Sequence, residues 1–548
     1  MRYIIILFVL THLGCNNKQA TIVTEWSPYD QAAEIADNAD HNNPRMQYKL
    51  IQSKVLDKQK IWDDINAQIT DFSEADYERL LPLILEQDIM TKQEYIASGK
   101  LSYRQLTQWY LYRIKKYESD NNKSLQSIIS INPHAVAQAT EKDKSKSKNQ
   151  HPIYGMPILL KDNINTDDMP TTAGAIILQN NQTGDAEIVK RIKVNGGIIL
   201  GKVNLSEWAY YFCKGCPLGY SAVGGQTLNP YGRRMYETGG SSAASGTTMA
   251  ANYAAAAVGT ETSGSILSPS SQNSVVGLKP TIGLLSGDGI LPISSTLDTP
   301  GPMTRNVSDN AILLSALSAG YKPNPNTKDI VRPKKYYNEL NKDYIKGLRL
   351  GVIKNYMKDS LYKIAVDDLK NLGAEIVEYE PEDISFDQFL TFLNADMQRD
   401  FPKYMASYAG PDVEIRSVKD VVEYNLLDTL TRAPYGQALL EGVVAEDISD
   451  QDFETLKREY DAMGKKYFNA PMDKHQLDAI VSINNYNAGH AAMAKYPCVT
   501  IPMGYQSNGE PKNVTFIAKS FEEQKLLKIA YAYEQATQRR KMPSDYKN

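Results

Sequence analysis

The sequence predicts a layered α/β fold with a mainly parallel or mixed sheet, and three observations point there. From about residue 150, short apolar runs alternate with amphipathic stretches, the pattern of strands interleaved with helices. The stretch from Gly239 to Gly264, GGSSAASGTTMAANYAAAAVGTETSG, is almost entirely small, which suits backbones that approach closely. Residues 45–95 carry helical periodicity instead, and predict a helical arm outside the sheet.

Taken in order, the chain opens with Met1-Arg2 and the apolar run Ile4–Leu10, too short to span a bilayer. Leu13-Gly14-Cys15 follows and resembles a bacterial lipoprotein box, although His12 departs from the usual aliphatic residue. The expectation is a signal peptide over 1–14, lipidation at Cys15, and a flexible tether over 15–40. Export would then place the protein on the cell envelope, membrane-anchored and facing the periplasm or exterior. The arm spans 41–95. Ile61, Ile65 and Ile69 share one helical face, Tyr77 to Leu85 supplies another, and DFSE from Asp71 to Glu74 reads as a helix-capping box. Ser102 caps the next helix, inside the main domain of 96–548.

In that domain, Tyr154–Leu160 is an apolar strand ending at Lys161. Ala186–Asn195 is a helix and Gly197–Gly201 a buried strand. Ser242–Asn252 should be helical and Ala254–Gly259 a strand. Pro300-Gly301-Pro302 marks a turn before helix Asp309–Leu317, and 323–335 is a polar loop. Strands resume at Leu348–Ile353, and about 355–470 forms a helical cover. Asp478–Ser482, Cys498–Ile501 and Asn513–Ile517 close the sheet, and Ser520–Arg539 is the last helix.

Several chemistries find no support. The net charge of −4, with no long basic run, gives no reason to expect nucleic acid. The sequence contains no G-x-S-x-G, HExxH, P-loop or helix-opening GxGxxG. No two of the six histidines have metal-ligand spacing, so neither a metal nor another cofactor is expected. Asp167-Asp168 reads as a solvated loop. Cys213 and Cys216 are two loop thiols or a local disulfide.

Serine with lysine as its base is what is left. A lysine can accept a proton only if its pKa falls from about 10.4 towards 7, a differential solvation of about 4–5 kcal/mol. Lys161 directly follows a run that should be buried. The serines are those of the Gly-Gly-Ser-Ser turn at Ser241 and the Ser-Gly-Ser turn at Ser265.

GMPILLKDNI (155–164), GKVNLSEWA (201–209), GGSS (239–242), GTETSGSI (259–266), VVGLKPT (275–281), DTPGPMTR (298–305) and AYAYEQ (530–535) resemble the amidase signature family. The two serines have that family's separation of 24 residues. The likeness covers roughly 85–545. GGQTLNPY (224–231), GTETSGSI and DGILPIS (288–294) look most like bacterial peptide amidases. The resemblance implies a large mixed β-sheet covered by helices on both faces. It also implies a Ser-Ser-Lys triad: Ser265 as nucleophile, Ser241 in a cis peptide as bridge, Lys161 as base. Backbone N–H groups of Thr262, Ser263, Gly264 and Ser265 would form the oxyanion hole. The implied substrate is a peptide or small-molecule amide, C-terminal peptide amides above all.

Three positions depart from the family: Ala243-Ala244 for Gly-Gly, Ser263 for Gly, and Leu267 for Arg. The loss of that arginine speaks against a substrate carboxylate beside residue 267. Two other readings stand beside the amidase. One is the A-type amidotransferase subunit for glutaminyl-tRNA formation, which would need cytosolic partner proteins. The other is a non-catalytic binding lipoprotein on the same scaffold.

Overall fold

A computed structural model describes residues 28–145, 150–320 and 333–548. The expected signal segment and Cys15 lie outside the described residues, as does most of the loop expected at 323–335. The strands, in chain order, are β1 Ile128–Ile131, β2 Pro157–Lys161, β3 Ile198–Val203, β4 Tyr220–Ser221, β5 Gly225–Gln226, β6 Ala256–Glu261, β7 Val276–Lys279, β8 Thr299–Thr304, β9 Arg349–Ile353, β10 Glu375–Tyr379, β11 Ala479–Ile483, β12 Cys498–Tyr505 and β13 Pro511–Ile517.

Eleven of these form one mixed sheet in the order β1-β3-β2-β6-β8-β7-β12-β13-β11-β9-β10. β2 runs parallel to both β3 and β6. β6, β8, β7, β12, β13 and β11 then alternate in direction. β2, β3 and β6 are buried at every residue, as strands sandwiched between helical layers must be. Helices Val307–Ser318, Ser360–Asn371 and Glu523–Thr537 make one group of mutual contacts, and Ala243–Ala250 with Leu267–Gln272 another.

The small-residue stretch explains that second layer. A side chain on Gly259 would come within 2.7 Å of the Met303 sulfur and 2.9 Å of Ser242 Oγ, and one on Gly246 within 2.7 Å of the Pro269 carbonyl. Only hydrogen fits at either place, so the helix rests directly on β6 and on its neighbour.

Four sequence expectations are corrected. Pro300-Gly301-Pro302 is no turn but the middle of strand β8. Proline has no N–H for a ladder, and here β7 pairs only with Met303 and Thr304, so both prolines are paired with β6 alone. The helical cover begins at Phe389, because Ser360–Asn371 and β10 belong to the sheet and its layer. β10 escapes notice because it is an edge strand with exposed Glu375 and Glu378. The capping box of the arm is Ser73 with Asp76, not Asp71 with Glu74. Residues 28–40, expected in the tether, are docked where described: helix Ala32–Asp37 pairs Glu34 with Arg233, and Asn38 Nδ2 donates to the Arg234 carbonyl at 3.1 Å.

The arm shares the main core. Tyr77 stacks on Trp109 of helix Tyr103–Glu118 at 5.0 Å, and Trp109 Nε1 donates to the Tyr77 carbonyl at 3.0 Å. Leu80 is fully buried in the cluster that holds β2 and β6. Leu80→Ala is therefore expected to cost about 2–5 kcal/mol and to shift one cooperative transition. Guanidinium melts read by circular dichroism and by tryptophan fluorescence check this; two separated transitions would make the arm an independent unit.

Candidate active site

Parallel strands β2, β3 and β6 end side by side, and the site lies at their carboxyl ends, where open α/β sheets present their loops. Lys161 is the last residue of β2. Ser241 follows a cis peptide bond after Gly240. Ser265 follows Gly264, whose φ of +92° is a conformation natural to glycine.

Lys161 Nζ lies 2.8 Å from Ser241 Oγ, 2.8 Å from Thr260 Oγ1 and 3.1 Å from the Thr260 carbonyl. The carbonyl can only accept, whereas the hydroxyls can donate or accept. A neutral amine can thus donate to both Thr260 oxygens and accept the Ser241 proton. Asn163 Nδ2 donates to Thr260 Oγ1 at 3.1 Å and holds it in place. Burial lowers the Lys161 pKa from its ordinary 10.5 to about 7, against an upward pull from Asp298 and Glu261.

The serine turns are stitched together. The Ser242 N–H donates to the Ser265 carbonyl at 3.1 Å, and Ser242 Oγ donates to the Thr260 carbonyl at 3.0 Å. The Ser241 carbonyl accepts the Ser206 N–H at 3.0 Å. Lys161 is 0% exposed, Ser241 1% and Ser265 9%, so Ser265 is the member of the three that a solute can reach.

Two carboxylates missed by the sequence reading shape the loop between them. Glu261 accepts the N–H groups of Ile266 at 2.6 Å and Leu267 at 2.9 Å, and the Gly264 N–H also acts on it. Burial raises its pKa, opposed by Lys279. Asp298 accepts Thr262 Oγ1–H at 2.5 Å and the Ile293 and Ser294 N–H groups at 2.8 and 3.0 Å. Burial raises its pKa to about 6. A signal for Glu261 was available: an acid inside a run of small residues.

The remaining candidates fall as follows. Ser263 is half-buried beside Gly489, and Gly264 faces Asn485 and Ala488, so the end of the loop after β11 and the start of helix Ala488–Ala494 roof the turn before Ser265. Leu267 is 1% exposed and packed with Ile480, Cys498 and Ile517. The missing arginine therefore alters the packing behind the loop, and the inference about substrate carboxylates is withdrawn. His490 meets the Phe386 ring edge-on at 5.1 Å and the tilted Tyr467 ring at 4.2 Å, and burial lowers its pKa to about 4. Asp167 and Asp168 enclose the Lys193 ammonium together with Asp185. Cys213 and Cys216 are joined in a disulfide. A cavity of about 500 Å³ reaches Thr260 and Asp298, with Ile290, Pro292, Asp400 and Tyr404 among its walls.

The folded pKa of Lys161, about 7, lies below its ordinary value of 10.5. Between these values the unfolded chain binds a proton that the folded chain lacks. The group's contribution to stability therefore rises with pH from about 7 to 10.5, and is lost as pH falls through about 7. Lys161→Met is expected to flatten that rise, measured as urea midpoints from pH 7 upward.

The model of the amidase family matches residues 105–527. A probable amidase of Arabidopsis thaliana is 34% identical over 471 residues, covering 81% of this chain and 88% of that protein. The crystal structure of an amidase family protein from Bacillus anthracis superposes with a TM-score of 0.86 at 35% identity, covering 90% of this chain and 99% of the other. A peptide amidase from Stenotrophomonas maltophilia gives a TM-score of 0.79 at 35% identity, covering 84% and 98%. The A-type component of the glutamyl-tRNA(Gln) amidotransferase of Lysinibacillus sphaericus is 28% identical over 489 residues, covering 83% and 97%. The chain belongs to the amidase family and is an amide hydrolase.

Proposed function

We propose that the protein hydrolyses C-terminal peptide amides or related small carboxamides through a Ser-Ser-Lys relay and an acyl-enzyme. The observation that carries the relay is the 2.8 Å contact of a fully buried Lys161 amine with Ser241 Oγ. Similarity to a peptide amidase supports the substrate class.

Ser265 Oγ attacks the amide carbonyl carbon. Its proton passes to Ser241 Oγ as the Ser241 proton passes to neutral Lys161. The carbonyl oxygen becomes an oxyanion, which the N–H groups of Thr262, Ser263, Gly264 and Ser265 stabilise, Gly264 being shared with Glu261. The relay then runs backward: Lys161 returns a proton through Ser241 to the leaving nitrogen, and the C–N bond breaks. Water repeats the sequence on the ester, freeing the carboxylic acid and restoring Ser265. Neighbouring protein groups supply every proton transfer, so no metal or cofactor is invoked.

The N-terminal sequence motivates the second part of the proposal, export with a lipid on Cys15. The amidotransferase reading keeps its place through the similarity to the Lysinibacillus protein, and predicts that the chain alone leaves peptide amides untouched.

Ammonia release from peptide amides, fatty amides and aryl amides tests the activity. Ser265→Ala is expected to lower kcat by about 10⁴-fold or more with the fold intact; unchanged turnover removes Ser265 from the mechanism. Loss of activity in Lys161→Ala but not in Ser241→Ala would refute the relay. The base works deprotonated, so turnover should rise with pH through about 7 and level off above it.

A further inference from the structure

Four leucines are well exposed among the described residues, and three of them, Leu426 (59%), Leu427 (79%) and Leu430 (77%), fall within five residues of one another. They straddle the end of helix Val418–Leu426 and the short helix Thr429–Arg432, on the helical cover. Lys54 Nζ donates to the Leu430 carbonyl at 3.3 Å, and Val55, the next residue in the chain, is 37% exposed. Cations rim the leucines: Lys49 Nζ donates to the Pro434 carbonyl at 2.8 Å, and the Arg432 guanidinium lies 3.6 Å over the Tyr424 ring. Two acids adjoin them: Asp428 spends a carboxylate oxygen capping the Thr431 N–H at 3.2 Å, and Glu423, one helical turn before Leu427, pairs with Lys419 at 3.6 Å.

The course of the N-terminal chain says what covers this patch. Tyr29 and Gln52 exchange two hydrogen bonds, at 3.2 and 2.7 Å, and Gln31 Oε1 accepts the N–H groups of Ile51 and Gln52 at 3.0 and 2.8 Å. Gln52 precedes Lys54 by two residues, so the described chain begins within about 25 Å of Leu430. The 14 residues from Cys15 to Tyr29 reach at most about 50 Å fully extended. A lipid on Cys15 would therefore hold this end of the molecule within reach of the bilayer. Tethering raises the local concentration of whatever surface lies at the root of the tether. Here that surface is the largest cluster of exposed leucines among the described residues. An anchor alone sets distance and leaves orientation free; an apolar patch at its root sets orientation.

We infer that Val55, Leu426, Leu427 and Leu430 form a bilayer-contact patch that turns the helical cover towards the membrane. Exposed leucines of this kind bury their side chains at the boundary between headgroups and acyl chains, while the cations at the rim meet anionic headgroups. The inference rests on the lipid-anchored reading of Cys15, and the test separates the two.

The experiment places an environment-sensitive dye on Leu427→Cys in the full chain. Cys498 is buried and Cys213 and Cys216 are disulfide-bonded, so labelling is confined to the introduced thiol once Cys15 is acylated. Val194→Cys, at a position equally open at 82%, is the control. The membrane-bound protein is reconstituted with phosphatidylethanolamine, phosphatidylglycerol and nitroxide-labelled lipid. A patch at the acyl boundary predicts loss of about half the emission or more at 427 and little loss at 194. Equal quenching at both positions, or none at 427, overturns the patch. A blue shift at 427 without nitroxide quenching also overturns it, and assigns the patch to a second protein copy. Radiolabelled palmitate tests Cys15 separately. If none is incorporated, the anchor reading fails, and the dye measurement on protein mixed with the same vesicles, with Cys15→Ser to spare the label, decides the patch by itself. Amide release in solution should be unchanged in Leu426→Ser/Leu427→Ser/Leu430→Ser.

Discussion

The burial of one lysine is the constraint on which the site is built. Lys161 has no solvent exposure, and its amine meets three oxygens, two from Thr260 and one from Ser241. None of these is a carboxylate. An ion pair would hold the proton on the lysine, whereas hydroxyls and a carbonyl do not, and burial then drives the amine towards neutrality. Reaching Thr260 and Ser241 together requires the helix after Ser242 to lie directly on β6. That contact is possible because Gly259 and Gly246 carry no side chain where Met303, Ser242 and Pro269 approach. The small-residue stretch is thus a consequence of where the Lys161 amine sits.

The same logic explains how much was legible in the sequence. Lys161, Ser241 and Ser265 could be located because each sits in a motif whose local chemistry is visible: an apolar run, a Gly-Gly-Ser-Ser turn, a Ser-Gly-Ser turn. The structure brings Lys161 and Ser241 into contact, and joins the two serine turns through Ser242 and Ser265. Glu261 and Asp298 were not singled out, since their roles depend on which backbone N–H groups they meet after folding. Leu267 was misplaced for a related reason. A residue two positions after Ser265 looks adjacent in sequence, but the helix beginning there turns its side chain into the core behind the loop.

Strand assignment failed where side chains contradict pairing. β8 holds two prolines yet sits inside the sheet, because its β7 neighbour pairs only beyond them. β10 carries two glutamates in five residues because it is an edge, where exposed carboxylates also discourage further pairing. In both cases propensity lost to position in the sheet, which a single sequence does not display.

Two buried carboxylates near a lysine whose pKa is lowered look like a contradiction, and their hydrogen bonds resolve it. Both pull the Lys161 pKa upward. Glu261 directs its charge at the Ile266 and Leu267 amides and is offset by Lys279. Asp298 is occupied by the Thr262 hydroxyl and two backbone amides. Each acid therefore holds one end of the loop from Thr262 to Leu267, Glu261 through its Oε2 and Asp298 through both oxygens, and neither bonds the amine. The loop is thus fixed from outside; under the proposed mechanism its N–H groups would need no reorganisation when charge develops on the substrate oxygen. The residual upward pull on Lys161 is the consequence, and the depth of its burial is what overcomes it.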